Sequence, residues 1–427
     1  MSNKNPRSVT GTEDRLPEQW RYWNRLHESA RRLFRVYGYG QISTPIIEYT
    51  DLFVKGTGET TDIVEKQMYN VGGEDEDDVT LRPEGTPPAV RAYLERDLHK
   101  QQQFQKFWYA GPMFRRERPQ KGRLRQFHQI GVEAIGGESA LLDAECALLP
   151  MALYRDMGLE KCRLFVNTIG CTQCRPAYQE ELRVRLTERR EELCENCQNR
   201  LDRNVLRILD CKNEDCQEVV SDLPAIDEFL CDSCKEHFDT FKAALDENGV
   251  DYDVDPLLVR GLDYYTRTVF EIKHPGLGAR DTICGGGRYD ELVELLGGPS
   301  LPCVGFAMGV EACLLAMESE LGVDRSGGVA PWVYAISFED SARQPCFSQV
   351  QKLRELGVPA EMDFEQRSAK AQMRMADRLG AQYCFLIGER ELQQDEVLVK
   401  DMESGDQWNV SWDQAAAEMA DLYEPSE

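Results

Sequence analysis

Apolar side chains recur with a helical period over residues 17–37, where Trp20, Trp23, Leu26, Ala30, Leu33, Phe34 and Tyr37 share one side and Gly38 and Gly40 close the segment. The stretch QISTPIIEYTDLF then reads as a strand broken at Pro45, which has no N–H for a ladder and so marks an edge or an interface. An extended run ending at Leu81-Arg82 leads into the turn PEGTPP and a helix over 88–98. KFWYAGPMFRRER and RQFHQIGVEAIG read as two strands joined by a polar loop, followed by a helix in ALLDAECALLPMALYRDMG and a strand in KCRLFVNTIG. Over residues 171–240 large apolar residues thin out and cysteines and charges dominate, as in an inserted subdomain. The core pattern resumes in DVDPLLVRGLDYYTRTVFEIKH, a pair of strand-like segments around Gly261. TICGGGRYDELVELLG follows as strand, turn and helix, and LPCVGFAMGVEACLLAME as strand, glycine and helix. ESELGVDRSGGVAP is linker-like, and beyond it strands and helices alternate before a final strand pair, as in a separate α/β unit. The pattern predicts an α+β chain. Its core lies in residues 1–170 and 251–325, with a Cys-rich insertion over 171–250 and a C-terminal α/β domain over 331–427.

The 427 residues suffice for two or three domains. A formal charge of −25 disfavours nonspecific binding to DNA or to a membrane surface, though it leaves room for a local basic groove. The polar start MSNKNPRSVTGTEDRLPEQW lacks the apolar run of a signal peptide, and no apolar run is long enough to cross a bilayer. A cytoplasmic protein is expected, in which the fifteen cysteines are reduced or metal-bound.

Eight of those cysteines form four close pairs: Cys171-x2-Cys174, Cys194-x2-Cys197, Cys211-x4-Cys216 and Cys231-x2-Cys234. A two-residue gap lets both thiolates reach one tetrahedral ion, so two pairs complete a closed structural zinc site and four pairs could build two. Which pairs share an ion is open at this level. His237 reads as a surface histidine, and Cys146, Cys162 and Cys303 as core residues. The remaining chemistry is concentrated in residues 111–136. Arg115, Arg116, Arg118, Lys121, Arg123 and Arg125 lie within eleven residues of an otherwise acidic chain, and the planar fork of arginine suits phosphate.

Four separated segments, LRPEGT (81–86), the basic hairpin (111–136), LVRGLDYYTRTVFE (258–271) and CGGGRYDELVELLGGPSLPCVGFAMGVE (284–311), together resemble the class II aminoacyl-tRNA synthetases. The run Arg260-Gly261-Leu262-Asp263-Tyr264-Tyr265 resembles the histidyl-tRNA synthetase family in particular. The resemblance implies an antiparallel sheet flanked by helices, a C-terminal anticodon-binding domain, and ATP-dependent charging of tRNA(His) by way of histidyl-adenylate, with Mg2+ accompanying ATP. It implies that Arg115 and Arg260 grip the α-phosphate from opposite sides, with Arg123 on the outer phosphates. Glu84, Thr86 and Gln129 would meet the amino group of histidine, and Glu133 and Tyr265 its imidazole, with Tyr264 beside them and Gly85 also in the histidine site. Tyr289 would pack on the ligand, and Gly285, Gly286 and Gly287 would let backbone approach it. Arg118, Gln120 and Arg125 would meet the acceptor end of the tRNA. Arg367, Lys370, Arg374 and Arg378 would serve the anticodon domain. YGYGQISTPIIE resembles the first class II motif, which implies a homodimer.

Two positions depart from the family pattern. Pro87 stands where a small residue is usual, and Gly309-Val310-Glu311-Ala312 replaces Gly-x-Glu-Arg. The missing guanidinium forgoes a charge-assisted bond of roughly 1.5–3 kcal/mol and a cation–π contact of about 0.5–2 kcal/mol. Use of ATP would then be weaker by on the order of tenfold to several-hundredfold unless another arginine compensates, Arg288 and Arg325 being nearest in sequence. Ala312 also favours an alternative, a non-charging, histidine-sensing regulatory subunit of ATP phosphoribosyltransferase. The intact hairpin, the intact Arg260–Tyr265 run and the anticodon-like domain oppose it.

Overall fold

The structure, a computed structural model, describes residues 6–59, 61–72, 78–120, 122–278, 281–322 and 330–424. Lys121, Arg325 and half of the linker-like stretch lie outside the described residues. Two compact units result, one built chiefly from residues 22–322 and the other chiefly from 330–424.

The larger unit is organised by an eight-stranded sheet. Its strands in chain order are β1 (Gly40–Gln41), then, after the small strands β2 (Ile47–Tyr49), β3 (Tyr69–Asn70) and β4 (Val79–Leu81), β5 (Gln105–Phe114), β6 (Gln126–Ile135), β7 (Arg163–Thr168), β8 (Tyr252–Val254), β9 (Thr266–Lys273), β10 (Thr282–Arg288) and β11 (Cys303–Gly309). The spatial order is β1-β5-β6-β11-β10-β9-β7-β8, antiparallel except at its two edges, and β2, β4 and β3 form a separate three-stranded sheet. The basic loop joins β5 to β6, as the alternation predicts. One face of the large sheet is covered by the helices Pro17–Val36, Ala140–Asp156 and Val310–Leu321, whose Leu26, Ala30, Phe34, Leu149, Leu153 and Ala316 are fully buried. Trp20, placed on that stripe by its spacing, is exposed.

Two local expectations change. Residues Thr50–Thr57 form a helix rather than the end of a strand, because Thr50, Phe53, Gly56 and Thr57 bury at helical spacing. Between β8 and β9 the chain is an irregular loop instead of a second strand. Asn167 Nδ2 donates to the carbonyls of Pro256 (3.2 Å) and Leu258 (3.0 Å), which takes up acceptors that a ladder would have used. The insertion is helical, with Arg175–Glu188, Glu195–Arg203, Glu214–Ser221 and Asp232–Glu247, and its Tyr178, Leu182, Leu201 and Ile208 join a core with Tyr264, Tyr265 and Tyr289.

The smaller unit has β12 (Val333–Ser337), β13 (Ala360–Met362), β14 (Tyr383–Ile387), β15 (Glu396–Asp401) and β16 (Gln407–Ser411) in the order β13-β12-β14-β15-β16. β12 is parallel to both neighbours, and β15 and β16 add as an antiparallel pair. The expected basic helix is present as Ala369–Leu379, and the pattern reading missed the short helices Glu389–Gln394 and Ala415–Leu422.

Candidate active site

The face of the sheet opposite those three helices carries a cavity of about 250 Å3. Its walls include Glu84, Gly85, Thr86, Arg115, Arg123 and Gln129 from the first half of the core, and Arg260, Tyr264, Tyr265 and Tyr289 from the second. Residues nearly two hundred positions apart therefore meet in one place. Strand alternation explains how. Gln129, Gly131 and Glu133 face one side of β6, and pair in register with Gly111, Tyr109 and Phe107 of β5. Tyr109 crosses that face so closely that a Cβ at Gly85 would sit 2.2 Å from its ring, and one at Gly131 2.5 Å. Tyr109 escaped the sequence reading although its alternation marks it as inward-facing.

The carboxylates are built into the walls. Glu84 is buried, with Thr57 Oγ1 donating to one oxygen at 2.5 Å and the Tyr264 hydroxyl to the other at 2.9 Å. Burial raises its pKa, while Thr57, the Arg115 charge and Tyr264 act in the opposite direction. Thr57 had no sequence signal, since its role depends on the unexpected Thr50–Thr57 helix. Glu133 is fully buried behind the cavity wall rather than lining it. Thr86 Oγ1 donates to it at 2.7 Å and the Tyr289 hydroxyl makes a short bond to its other oxygen. Tyr289 thus binds Glu133 as well as lining the cavity. Gln129 Oε1 is buried without a hydrogen-bond partner among the described residues, an acceptor available to a bound donor.

Burial pushes the Glu133 carboxyl up to about 8 from an ordinary 4.5, against the donations from Tyr289 and Thr86. Between those two values the native chain holds a proton that the unfolded chain has released, so stability should fall as pH rises across the window. Glu133→Gln should flatten that decline, which thermal unfolding midpoints of both proteins across the window would measure. A decline of equal slope in the variant assigns it to another group.

The two arginines line the same cavity. Arg115 Nε donates to the Pro83 carbonyl at 2.9 Å, and its guanidinium lies 5.2 Å from the centre of the Phe127 ring. Burial lowers its pKa, the charge of Glu84 supports it, and Arg260 opposes it, as like charges aimed at one space must. Arg260 is held by a short ion pair with Glu271, while its Nε is buried without a hydrogen-bond partner among the described residues. Burial works against the Arg260 charge, and the Glu271 carboxylate together with Tyr265, Tyr264 and Cys284 more than offsets it. Glu271 pairs in register with Gly285 across β9 and β10, so Arg260 lies flat on Gly285, whose Cβ would fall 2.2 Å from the guanidinium. The glycine run therefore makes room chiefly for the protein itself. Gly285 admits Arg260, and Gly286 admits Phe270, Phe306 and the Gly305 carbonyl. Nothing in the sequence reveals the Glu271–Gly285 register.

At the hairpin tip, backbone bonds between Gln120 and Arg123 close a tight turn. Arg118 and Gln120 are exposed, and Arg123 pairs closely with the buried Glu117. Arg125 is half-buried, with Nε on the Glu117 carbonyl (3.1 Å) and Nη1 on the Thr10 carbonyl (3.3 Å). Arg288 is no substitute for the guanidinium missing at Ala312. It is 1 % exposed and fully engaged by Asp143, Asp290 and the carbonyls of Gly137 and Ser139. His237 is likewise no surface residue: it is buried 2.7 Å from Asp143, which Arg288 also holds. Beside Ala312, Glu311 accepts from Arg15 Nη2 at 2.5 Å and from the His128 amide at 2.9 Å, and Arg15 stacks 3.5 Å over the Trp23 ring.

The paired cysteines form two groups of four, each able to hold a metal ion: Cys171, Cys174, Cys231 and Cys234, and Cys194, Cys197, Cys211 and Cys216. No helix among the described residues is long and apolar enough to cross a membrane.

A model of the histidyl-tRNA synthetase family matches residues 11–313, and one of an anticodon binding domain matches residues 333–422. The chain is 46% identical over 422 residues to a histidine–tRNA ligase of Halothermothrix orenii, covering 99% of this chain and 100% of that protein. To the histidine–tRNA ligase of Desulforamulus reducens it is 45% identical over 401 residues, covering 94% and 96%. The crystal structure of apo S. aureus histidyl-tRNA synthetase superposes with a TM-score of 0.81 at 36% identity, covering 98% of this chain and 99% of that one. This likeness carries the class II synthetase fold. Matched by sequence over its whole length and by a cavity in which the family's motifs converge, the chain belongs to the histidyl-tRNA synthetase family.

Proposed function

We propose that the chain is an ATP-dependent histidine–tRNA ligase, joining histidine to ATP as histidyl-adenylate and then passing the histidyl group to the 3′ end of tRNA(His). The observation that carries this reading is the convergence of Arg115, Arg260 and Glu84 on one cavity. Adenylate formation builds negative charge on a pentavalent α-phosphorus. Two fixed guanidiniums favour that charge over the ground state without reorganising. Glu84 offers its charge, and Gln129 an acceptor unpartnered among the described residues, to the ammonium of histidine, and Tyr264 and Tyr265 offer polar atoms around the side chain. A pocket that pairs both ring nitrogens discriminates strongly, because an isostere leaves buried groups unpaired.

Mg2+ would accompany ATP on its phosphates. The carboxylates beside the cavity's arginines, Glu117 and Glu271, are engaged by Arg123 and Arg260, so they form no ready protein cage for it. The four-cysteine groups would hold structural zinc. Arg118, Gln120 and Arg125 at the hairpin would meet the acceptor end, and Arg367, Lys370, Arg374 and Arg378 the anticodon arm. A cytoplasmic homodimer, paired through the segment 37–48, completes the reading.

Histidine-dependent exchange of pyrophosphate into ATP, followed by charging of tRNA(His), tests it; folded protein that does neither would refute it. The sensor reading keeps Ala312 in its favour, but identity with ligases over the whole length and the anticodon-binding match weigh against it. Ala312→Arg should lower the KM for ATP by on the order of tenfold, the worth of a charge-assisted bond, and leave the KM for histidine alone. An unchanged ATP KM would mean that the site already has its compensation.

A further inference from the structure

Resting on the zinc assignment above, we infer that the insertion is folded by two zinc ions and that these brace the loop carrying Arg260, Tyr264 and Tyr265. The structure resolves the pairing that spacing leaves open. The outer pairs, 171/174 and 231/234, come together, and the inner pairs, 194/197 and 211/216, nest between them in sequence. Within each group all four sulfurs lie within 4.8 Å of one another. Individual separations are 3.7 Å for Cys171–Cys174, 3.9 Å for Cys171–Cys231, 3.7 Å for Cys174–Cys234 and 3.8 Å for Cys194–Cys211. A tetrahedron of sulfurs around zinc, with bonds of about 2.3 Å, has edges of about 3.8 Å. A disulfide would need about 2.05 Å, and sulfurs this close surround one ion, not a multi-iron core. Each group also has an amide directed at sulfur, Cys171 N to Cys174 Sγ and Cys194 N to Cys216 Sγ, both at 3.2 Å, as suits a thiolate ligand.

Each site is tied to the catalytic loop by one arginine. Arg175 directly follows the ligand Cys174 and donates to the Tyr265 carbonyl at 2.7 Å. Arg207 lies just before the ligand Cys211 and donates to the Gly261 carbonyl at 2.8 Å. Between them Asn204 Nδ2 donates to Asp263 Oδ1 at 2.6 Å. The loop has no strand partner of its own: core groups such as Asn167, Thr57 and Glu84 hold it on one side, and these bonds from the insertion hold it on the other. The insertion's apolar core is carried in part by short, polar helices, Glu195–Arg203 and Glu214–Ser221, which a metal crosslink would hold in place.

The full chain, purified with its thiols reduced, should contain two zinc ions, and the cobalt-substituted chain should show thiolate-to-cobalt charge-transfer bands of tetrahedral sites. Cys174→Ser and Cys197→Ser should each lower the count to one. Removing metal with a chelator should weaken histidine binding, read by calorimetry, by on the order of tenfold or more. Arg175→Ala and Arg207→Ala should reproduce that loss while retaining two zinc ions, and Arg175→Lys should recover part of it. These arginine variants decide the matter if the cysteine variants do not fold. Iron in place of zinc, fewer than two ions in the folded chain, or histidine affinity indifferent to metal removal and to both arginines would each overturn the inference. Absence of histidine-dependent exchange in a chain holding two zinc ions would instead sink the ligase reading and leave the metal sites standing.

Discussion

Replacing Gly285 with alanine should cut histidine-dependent pyrophosphate exchange by roughly 10²–10³-fold, the cost of losing one fixed donor to developing charge. The added Cβ would lie 2.2 Å from one Arg260 nitrogen and 2.5 Å from its central carbon. What it meets is the end of a long side chain beside an open cavity, so the guanidinium can swing away while the backbone stays put. The displaced guanidinium stays within reach of Glu271, so the fold survives while its proposed place at the α-phosphorus is lost. Gly285→Ala should therefore keep a thermal midpoint close to the parent's while losing kcat. Arg260→Ala should lose both, because it leaves the Glu271 carboxylate, 16% exposed, without its counter-charge. Gly286→Ala supplies the contrast: its Cβ would meet the Gly305 carbonyl at 2.4 Å and Phe270 and Phe306 at 2.6 Å, so its damage should appear in stability. Parent-like exchange by Gly285→Ala would show that Arg260 does not act from where it rests.

What the sequence made legible follows from the range of each signal. The hairpin strands β5 and β6 could be read because alternation is local and a single polar loop joins them. Arg115, Glu84 and Arg260 could be named because they sit in motifs that resemble a family. Their supports could not. Thr57 reaches Glu84 from a helix that looked like a strand, and Glu271 reaches Arg260 only through the register of β9 on β10. Both are properties of pairing between distant segments, which no local pattern encodes. The cysteine spacing showed that metal chemistry was near, while the nesting of the pairs depended on how four helices pack. The misreading of His237 has the same origin: its partner Asp143 lies 94 residues away.

Glu84→Gln should weaken histidine binding by about 30-fold to several thousand-fold, since truncating one side of a buried charge pair costs about 2–5 kcal/mol. Glu84 is 4% exposed, and both its oxygens already accept from hydroxyls, Thr57 on one and Tyr264 on the other. Glutamine fills the same volume and keeps one acceptor, so the fold should tolerate it; the change removes the charge that faces the ammonium. Tyr264→Phe removes only the donor to one oxygen and should cost about tenfold. A pH series separates charge from shape. Burial raises the Glu84 pKa, so the carboxylate takes up its proton earlier than usual on acidification. Affinity for the ammonium should then fall as pH falls, and the fall should be absent from Glu84→Gln, in which only the ligand's own titration remains. Calorimetric titrations of both proteins over one pH series, taken as a ratio, cancel the ligand's contribution. A ratio independent of pH, or a glutamine variant that binds histidine as tightly as its parent, would remove Glu84 from the ammonium and leave it a structural acceptor for Thr57 and Tyr264.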